Sequence, residues 1–245
     1  MNGTRRRAVR AAAPAAVLLG VVALLGVALA QPRPKRVDII WQRPDLDSLG
    51  IRSVAFLPAI SFDHDLAKEQ EAEDAMAQTI RAVPYRWVAP LSVQALLKVK
   101  PAADSVWKRQ RDQLLKSPSA RIDSLAAPAL CGAFRVQALL TLRVDRMEQV
   151  VPEFNQAGKP TTTIAAHAAL VDSAGRLVWT ASGTETGEGQ YYDPNAGVVG
   201  VQGSGLGTKP LTGQMGAPTW REVGTRLFTR WAEAFPRPKA AAPAR

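Results

Sequence analysis

From Val136 onward the apolar residues fall on every second position, whereas before it they recur every three or four. That change of rhythm commits the chain to a fold containing both helices and a sheet. Leu140, Leu142 and Val144 alternate with Thr141, Arg143 and Asp145, the period of a strand with one face in a core. Residues 161–171 form a second long strand, Asp172-Ser173-Ala174-Gly175 a turn, and residues 176–184 a third strand centred on Leu177-Val178-Trp179. Three such strands in succession predict an antiparallel meander.

Upstream, Ile51–Leu57 is an apolar run closed by Pro58 and predicts a first core strand. Asp63 or Asp65 is placed to cap a helix over residues 66–82, whose Ala72, Met76, Ile80 and Val83 share one face, with Pro84 as its stop. A short strand follows at residues 86–89, then a helix from Pro90 or Ser92. A further helix is capped by Asp104 and runs to Leu115, and another spans residues 123–134. Thr219 and Glu222 have the T-x-x-E spacing of a capping box, and Val223, Leu227, Trp231 and Phe235 give that last helix one apolar face. The expected fold is therefore α+β, a mixed sheet with an antiparallel three-stranded meander packed against helices, in one domain over residues 51–236. Residues 31–50, rich in Pro and charge, read as an extended arm with a short strand near residues 37–41. Residues 187–217 read as a glycine-rich loop, and 237–245 as a disordered Ala/Pro tail.

The first thirty residues carry a different signal. Arg5, Arg6, Arg7 and Arg10 form a basic start, residues 11–30 contain no charge, and Ala28-Leu29-Ala30 is a small-x-small cleavage signature before Gln31. Export to the periplasm follows. An uncleaved leader would instead anchor the chain in the inner membrane and give membrane contact there, since twenty uncharged residues suffice to span it. The arginine run partly resembles a twin-arginine signal but lacks its usual Phe, and no cysteine lies near Ala30 to form a lipobox. Removing the leader's four arginines lowers the net charge of +10 to +6, spread without a basic-aromatic stripe, so nucleic acid is not expected as a partner. Envelope proteins or cell-wall polymer fit better.

The chemistry-bearing residues are few. Cys131 is the single cysteine, set among apolar neighbours, which excludes an intramolecular disulfide, a zinc ribbon and a CxxC redox site and predicts a buried small hydrophobe. His64 and His167 are the two histidines. G-x-S-x-G is absent, and Lys209 does not sit in a phosphate-binding P-loop. No metal or cofactor is expected. A hydrolase would have to be built from Asp63, His64 and Asp65 with Glu185 and Glu188. A binding module would instead use exposed aromatic and basic side chains, for which Trp41, Tyr191, Tyr192, Arg226 and Arg230 are the candidate contacts. Homo-oligomerisation is compatible with the second reading.

Four stretches carry a resemblance. Ile51-Arg52-Ser53-Val54-Ala55-Phe56-Leu57-Pro58 is similar to the strand that opens domains of the curli-secretion lipoprotein type, a group that includes the penicillin-binding-protein activator B and the N-terminal domain of the Tol translocation protein. Arg86-Trp87-Val88-Ala89-Pro90-Leu91-Ser92-Val93 with Leu96-Leu97 resembles the group's second strand and helix. Residues 168–179 resemble its hairpin, and residues 223–236 its closing helix. The resemblance implies a non-enzymatic envelope protein that works by binding other envelope components, with no catalytic residue to carry over. The group's lipid-anchoring cysteine is missing from this chain, so outer-membrane anchoring does not carry over either.

Overall fold

The computed structural model describes residues 38–152, 157–190 and 216–238, leaving aside the side chains of Asp47 and Ser48. Seven strands form one mixed sheet: β1 (Ile39–Gln42), β2 (Ser53–Phe56), β3 (Ile60–Ser61), β4 (Arg86–Val88), β5 (Ala138–Val150), β6 (Thr161–Asp172) and β7 (Leu177–Glu188). The order across the sheet is β1-β7-β6-β5-β2-β4, with β3 beside β5. β2 runs parallel to β4 and β5, while along β5, β6, β7 and β1 each strand is antiparallel to its neighbour. The meander expected from the alternation is there, and the mixed sheet with it.

Five helices complete the described fold: α1 (Leu66–Ile80), α2 (Pro90–Val99), α3 (Pro101–Lys116), α4 (Ala127–Phe134) and α5 (Trp220–Glu233). Local chemistry sets most of their ends. The Asp65 carboxylate accepts from the Ala67 and Lys68 amides, capping α1, and Thr219 with Glu222 closes both hydrogen bonds of a capping box on α5. Two starts differ from expectation. α3 begins at Pro101 rather than being capped by Asp104, because proline's fixed φ and missing N–H suit the first helical turn. α4 begins at Ala127, not residue 123, for the same reason at Pro128; the Asp123 side chain instead forms a turn, accepting from the Leu125 amide at 2.8 Å.

The two faces of the sheet are covered unequally. On one face, α1 and α5 lie over the sheet, and Ala72, Met76, Val223, Leu227, Phe228 and Trp231 pack on Leu140, Leu142, Ile164, Ala166, Leu170 and Trp179. Each of the larger of these side chains contributes about 2 kcal/mol by leaving water. On the other face, α2, α3 and α4 pack Val93, Leu97, Trp107, Leu114 and Leu130 on Ala55, Leu57, Leu139 and Val171, over β2 and the first part of β5.

Two segments read by composition as arm and loop contribute to the sheet, the first where a short strand was expected near residues 37–41. Residues 39–42, inside the stretch expected as an arm, pair with β7 along Ile39–Ser182 to Gln42–Trp179, because Ile40 packs on the α1/α5 core and Asp38 is held by Arg230. At the other end, β7 continues through Gly187 and Glu188, where a loop was expected to begin. Gly187 serves close approach rather than a turn: a Cβ there would lie 2.7 Å from Val223 Cγ2 on α5. The leader, Tyr191, Tyr192 and most of the glycine-rich segment lie outside the described residues.

Candidate binding surface

The residues that a hydrolase would need are held apart. Glu185 lies on the β7 face beneath α5, with no exposed surface, and accepts from Arg230 Nη1 at 2.8 Å. His64 sits in the β3–α1 turn with φ of 53°, and its Nδ1 is 3.5 Å from Arg111 of α3, a helix on the opposite layer. Glu188 pairs with Lys159 at 2.9 Å. Asp63 takes a 2.5 Å hydrogen bond from Lys68 Nζ, which with Ser61 lowers its carboxyl to about 2, and Asp65 is spent as the α1 cap. These groups have structural work on two faces of the sheet and share no cleft. Cys131 is buried, and burial pushes its thiol up to about 12, which suits a packing residue and not a nucleophile. Among the described residues no group of three or more His, Cys, Asp or Glu could hold a metal ion.

The candidate partner contacts fall into two kinds. Trp41 is on β1 with 44% of its surface exposed, and Ile39, two residues before it on the same side, is 65% exposed. Their register partners Thr180 and Ser182 on β7 continue that side, and Ser182 in turn pairs with His167 on β6. Along β6 and β7 the residues facing this way (Thr163, Ala165, His167, Thr180, Ser182, Thr184) are partly or fully exposed, while their neighbours in sequence are mostly buried under α5. The helices of this layer cover β5 and the Asp172 end of β6, where Ala169 and Val171 are buried, so the rest of β6 with β7 and β1 presents a bare sheet surface ending in an edge strand. Arg226, on α5, is also exposed. Arg230 is of the second kind. Its guanidinium is committed inward, to Asp38 at 2.6 and 3.2 Å and to Glu185. Room for that contact comes from Gly183, where a Cβ would stand 2.1 Å from Asp38 Oδ1.

A cluster that sequence reading did not single out borders the bare surface. Arg143 of β5, 4% exposed, donates from Nε to Asp145 at 2.6 Å and from Nη1 to the Leu114 carbonyl at 3.0 Å and to the Ser117 carbonyl. It thereby serves carbonyls left over at the end of α3. His167 Nδ1 meets the other Asp145 oxygen. Burial works to raise the Asp145 carboxyl, but the hydrogen bonds from His167 and Arg143 outweigh it and hold it below the usual value. The strand alternation carried no signal for it: the two-residue period puts Arg143 on the side opposite Leu140, Leu142 and Val144, which a strand with one face in a core turns to solvent.

No family model matches the chain, and no curated protein matches it. Solved structures with a similar course of the chain include a PelC dodecamer from Paraburkholderia phytofirmans (16% identity, covering 80% of this chain and 93% of that one, TM-score 0.41). Lipoprotein GNA1162 from Neisseria meningitidis is similar at 18% identity, over 60% of this chain and 92% of that one, with a TM-score of 0.41. The hypothetical protein CT253 from Chlamydia trachomatis is similar at 12% identity, over 75% and 94%, with a TM-score of 0.40. At these values they carry no argument about function.

Proposed function

We propose that this chain is a non-enzymatic, exported cell-envelope protein, a binding or assembly module that holds other envelope components against its uncovered sheet surface. The observation that carries the reading is the bare side of β6-β7-β1, ending in an edge strand with Ile39 and Trp41 exposed. An edge strand has backbone donors and acceptors on its outer side that a partner strand can pair with, and exposed Trp supplies contact area at low entropic cost. Trp41 is the central contact in this proposal. Arg226 on α5, and Tyr191 and Tyr192, are the further candidate contacts, and a second copy of the chain is among the partners β1 could accept. The leader supports the compartment: its cations, uncharged residues 11–30 and Ala28-Leu29-Ala30 have the form of an export signal.

Crosslinking in envelope fractions from cells producing the full chain, wild type or Trp41→Glu, tests this. A crosslinked species, self or foreign, is expected from the wild type and should be lost in the variant, while the variant's thermal melt stays unchanged. The same species at the same yield from Trp41→Glu would remove the bare surface from the account. N-terminal sequencing of the recovered protein is expected to start at Gln31; a retained leader would place the chain on the inner membrane.

A further inference from the structure

The parallel end of the sheet carries a second feature, unrelated to the bare surface. Arg52 lies just before β2, Arg86 opens β4, and Arg135 ends α4 three residues before β5. With Ser53, Val136 and Gln137 they line an open groove of about 460 Å³. All three arginines are exposed, and none forms an ion pair with a carboxylate among the described residues. The carboxylate in register at this end, Asp172 opposite Ala138, is taken: it accepts from Arg176 Nε at 2.7 Å and from the amides of Ala174 and Arg176. Arg237 adds a fourth cation beside Arg52.

Four acceptors of this rim are already occupied. The Arg52 carbonyl accepts from the Arg86 amide at 2.9 Å, and the Ser53 carbonyl from the Gln137 amide at 3.1 Å. The Arg135 carbonyl accepts from Arg86 Nη2 at 3.0 Å, and Gln137 Oε1 from the Arg52 amide at 2.8 Å. What remains facing the groove is donors and positive charge. Arg135 holds its place with φ of 56°, a left-handed conformation that a long side chain adopts at a cost.

We propose that this groove binds a linear polyanion of the envelope, an acidic glycan whose carboxylates pair with Arg52, Arg86 and Arg135 in turn. Guanidinium forks pair with carboxylates bidentately, and the three arginines come from three neighbouring segments, with Arg86 Nη2 reaching the Arg135 carbonyl. A row of cations suits a chain of anions better than one ion. The lining contains no exposed aromatic side chain for base stacking, and its one apolar member, Val136, is buried, leaving nothing to enter a bilayer. The site is separate from β1, so its failure leaves the reading of the bare surface intact.

Titration calorimetry of the full chain with polygalacturonate oligomers at low salt is the test. Arg52→Glu changes a side chain that makes no hydrogen bond among the described residues. Arg135→Gly removes a guanidinium from a backbone conformation that glycine adopts freely. Each is expected to weaken binding about tenfold or more, and added salt to weaken the wild type. Arg109→Glu, on the exposed side of α3, is expected to match the wild type within about twofold. No binding by the wild type, or an equal loss in Arg109→Glu, overturns the proposal. So does tighter arginine-dependent binding to single-stranded DNA or to phosphatidylglycerol vesicles than to the glycan.

Discussion

Arg143 and Arg230 do the same job in opposite directions. Arg143 reaches out from the sheet to the end of α3, whereas Arg230 reaches from α5 down to β7 and to Asp38 beside β1. The Arg143 side chain is almost wholly out of water and serves carbonyl groups that have no other donor from their own helix; the Arg230 side chain is one-third exposed and serves carboxylates. One closes a helix end, the other closes a sheet edge. The layer that Arg143 anchors reaches only the Asp172 end of β6 and leaves the rest of β6, β7 and β1 bare, whereas the layer that Arg230 anchors covers the sheet as far as β7.

The largest loss of stability is expected from Arg143→Met. Removing a buried cation that feeds two carbonyls and Asp145 is expected to cost about 3 kcal/mol in chemical denaturation, with the end of α3 exchanging its amide protons faster. A smaller effect is expected from Gly183→Ala. The added Cβ displaces Asp38 from Arg230 and meets Leu227 Cδ1 at 3.3 Å, but Glu185 keeps its guanidinium, so the loss should be about 2 kcal/mol and confined to β1. Hydrogen exchange that rises on β1 alone would agree; a loss spread over both helix layers would not.

The smallest effects separate two carboxylates, one from each side of the molecule, by pH. Asp145 titrates below its ordinary value in the folded state, so its contribution is present above the unfolded value and is lost as pH falls through the folded one. Asp145→Asn is therefore expected to cost about 1 kcal/mol at pH 7 and nothing in strong acid. Glu73 of α1 is the reverse case: burial raises its carboxyl from 4.5 to about 6, although it accepts from the Ala59 amide at 3.1 Å. Its charge therefore costs stability as pH rises between those two values. Glu73→Gln should stabilise the protein by about 1 kcal/mol at pH 7, with the gain gone below the unfolded value. Urea titrations of both variants against pH would show two difference curves of opposite sign; curves of the same sign would mean that the two carboxylates sit in similar surroundings after all.

Much of this was legible along the chain. Alternation in residues 138–144 and 161–171 assigned the meander and told which residues face a core. Asp65, Thr219 with Glu222, and Pro90 mark helix starts through chemistry confined to one turn, whereas the starts at Pro101 and Pro128 were expected at Asp104 and residue 123. Gly187 misled because a glycine needed for close packing against Val223 has the same letter as one needed for a loop.

What the chain alone determined, then, was the kind of each element, several of its ends, its inward side and the form of the leader, because these follow from spacing and capping over a few residues. Which charges meet was decided only in three dimensions. Arg230 and Asp38 lie 192 positions apart and come together because β1 docks on β7; His64 and Glu185 were grouped by their chemistry and are divided by the sheet. Arg52, Arg86 and Arg135 belong to three separate segments and form one groove only because β4, β2 and β5 lie side by side. Strand order is a long-range property, fixed by how whole layers pack, and no local pattern encodes it.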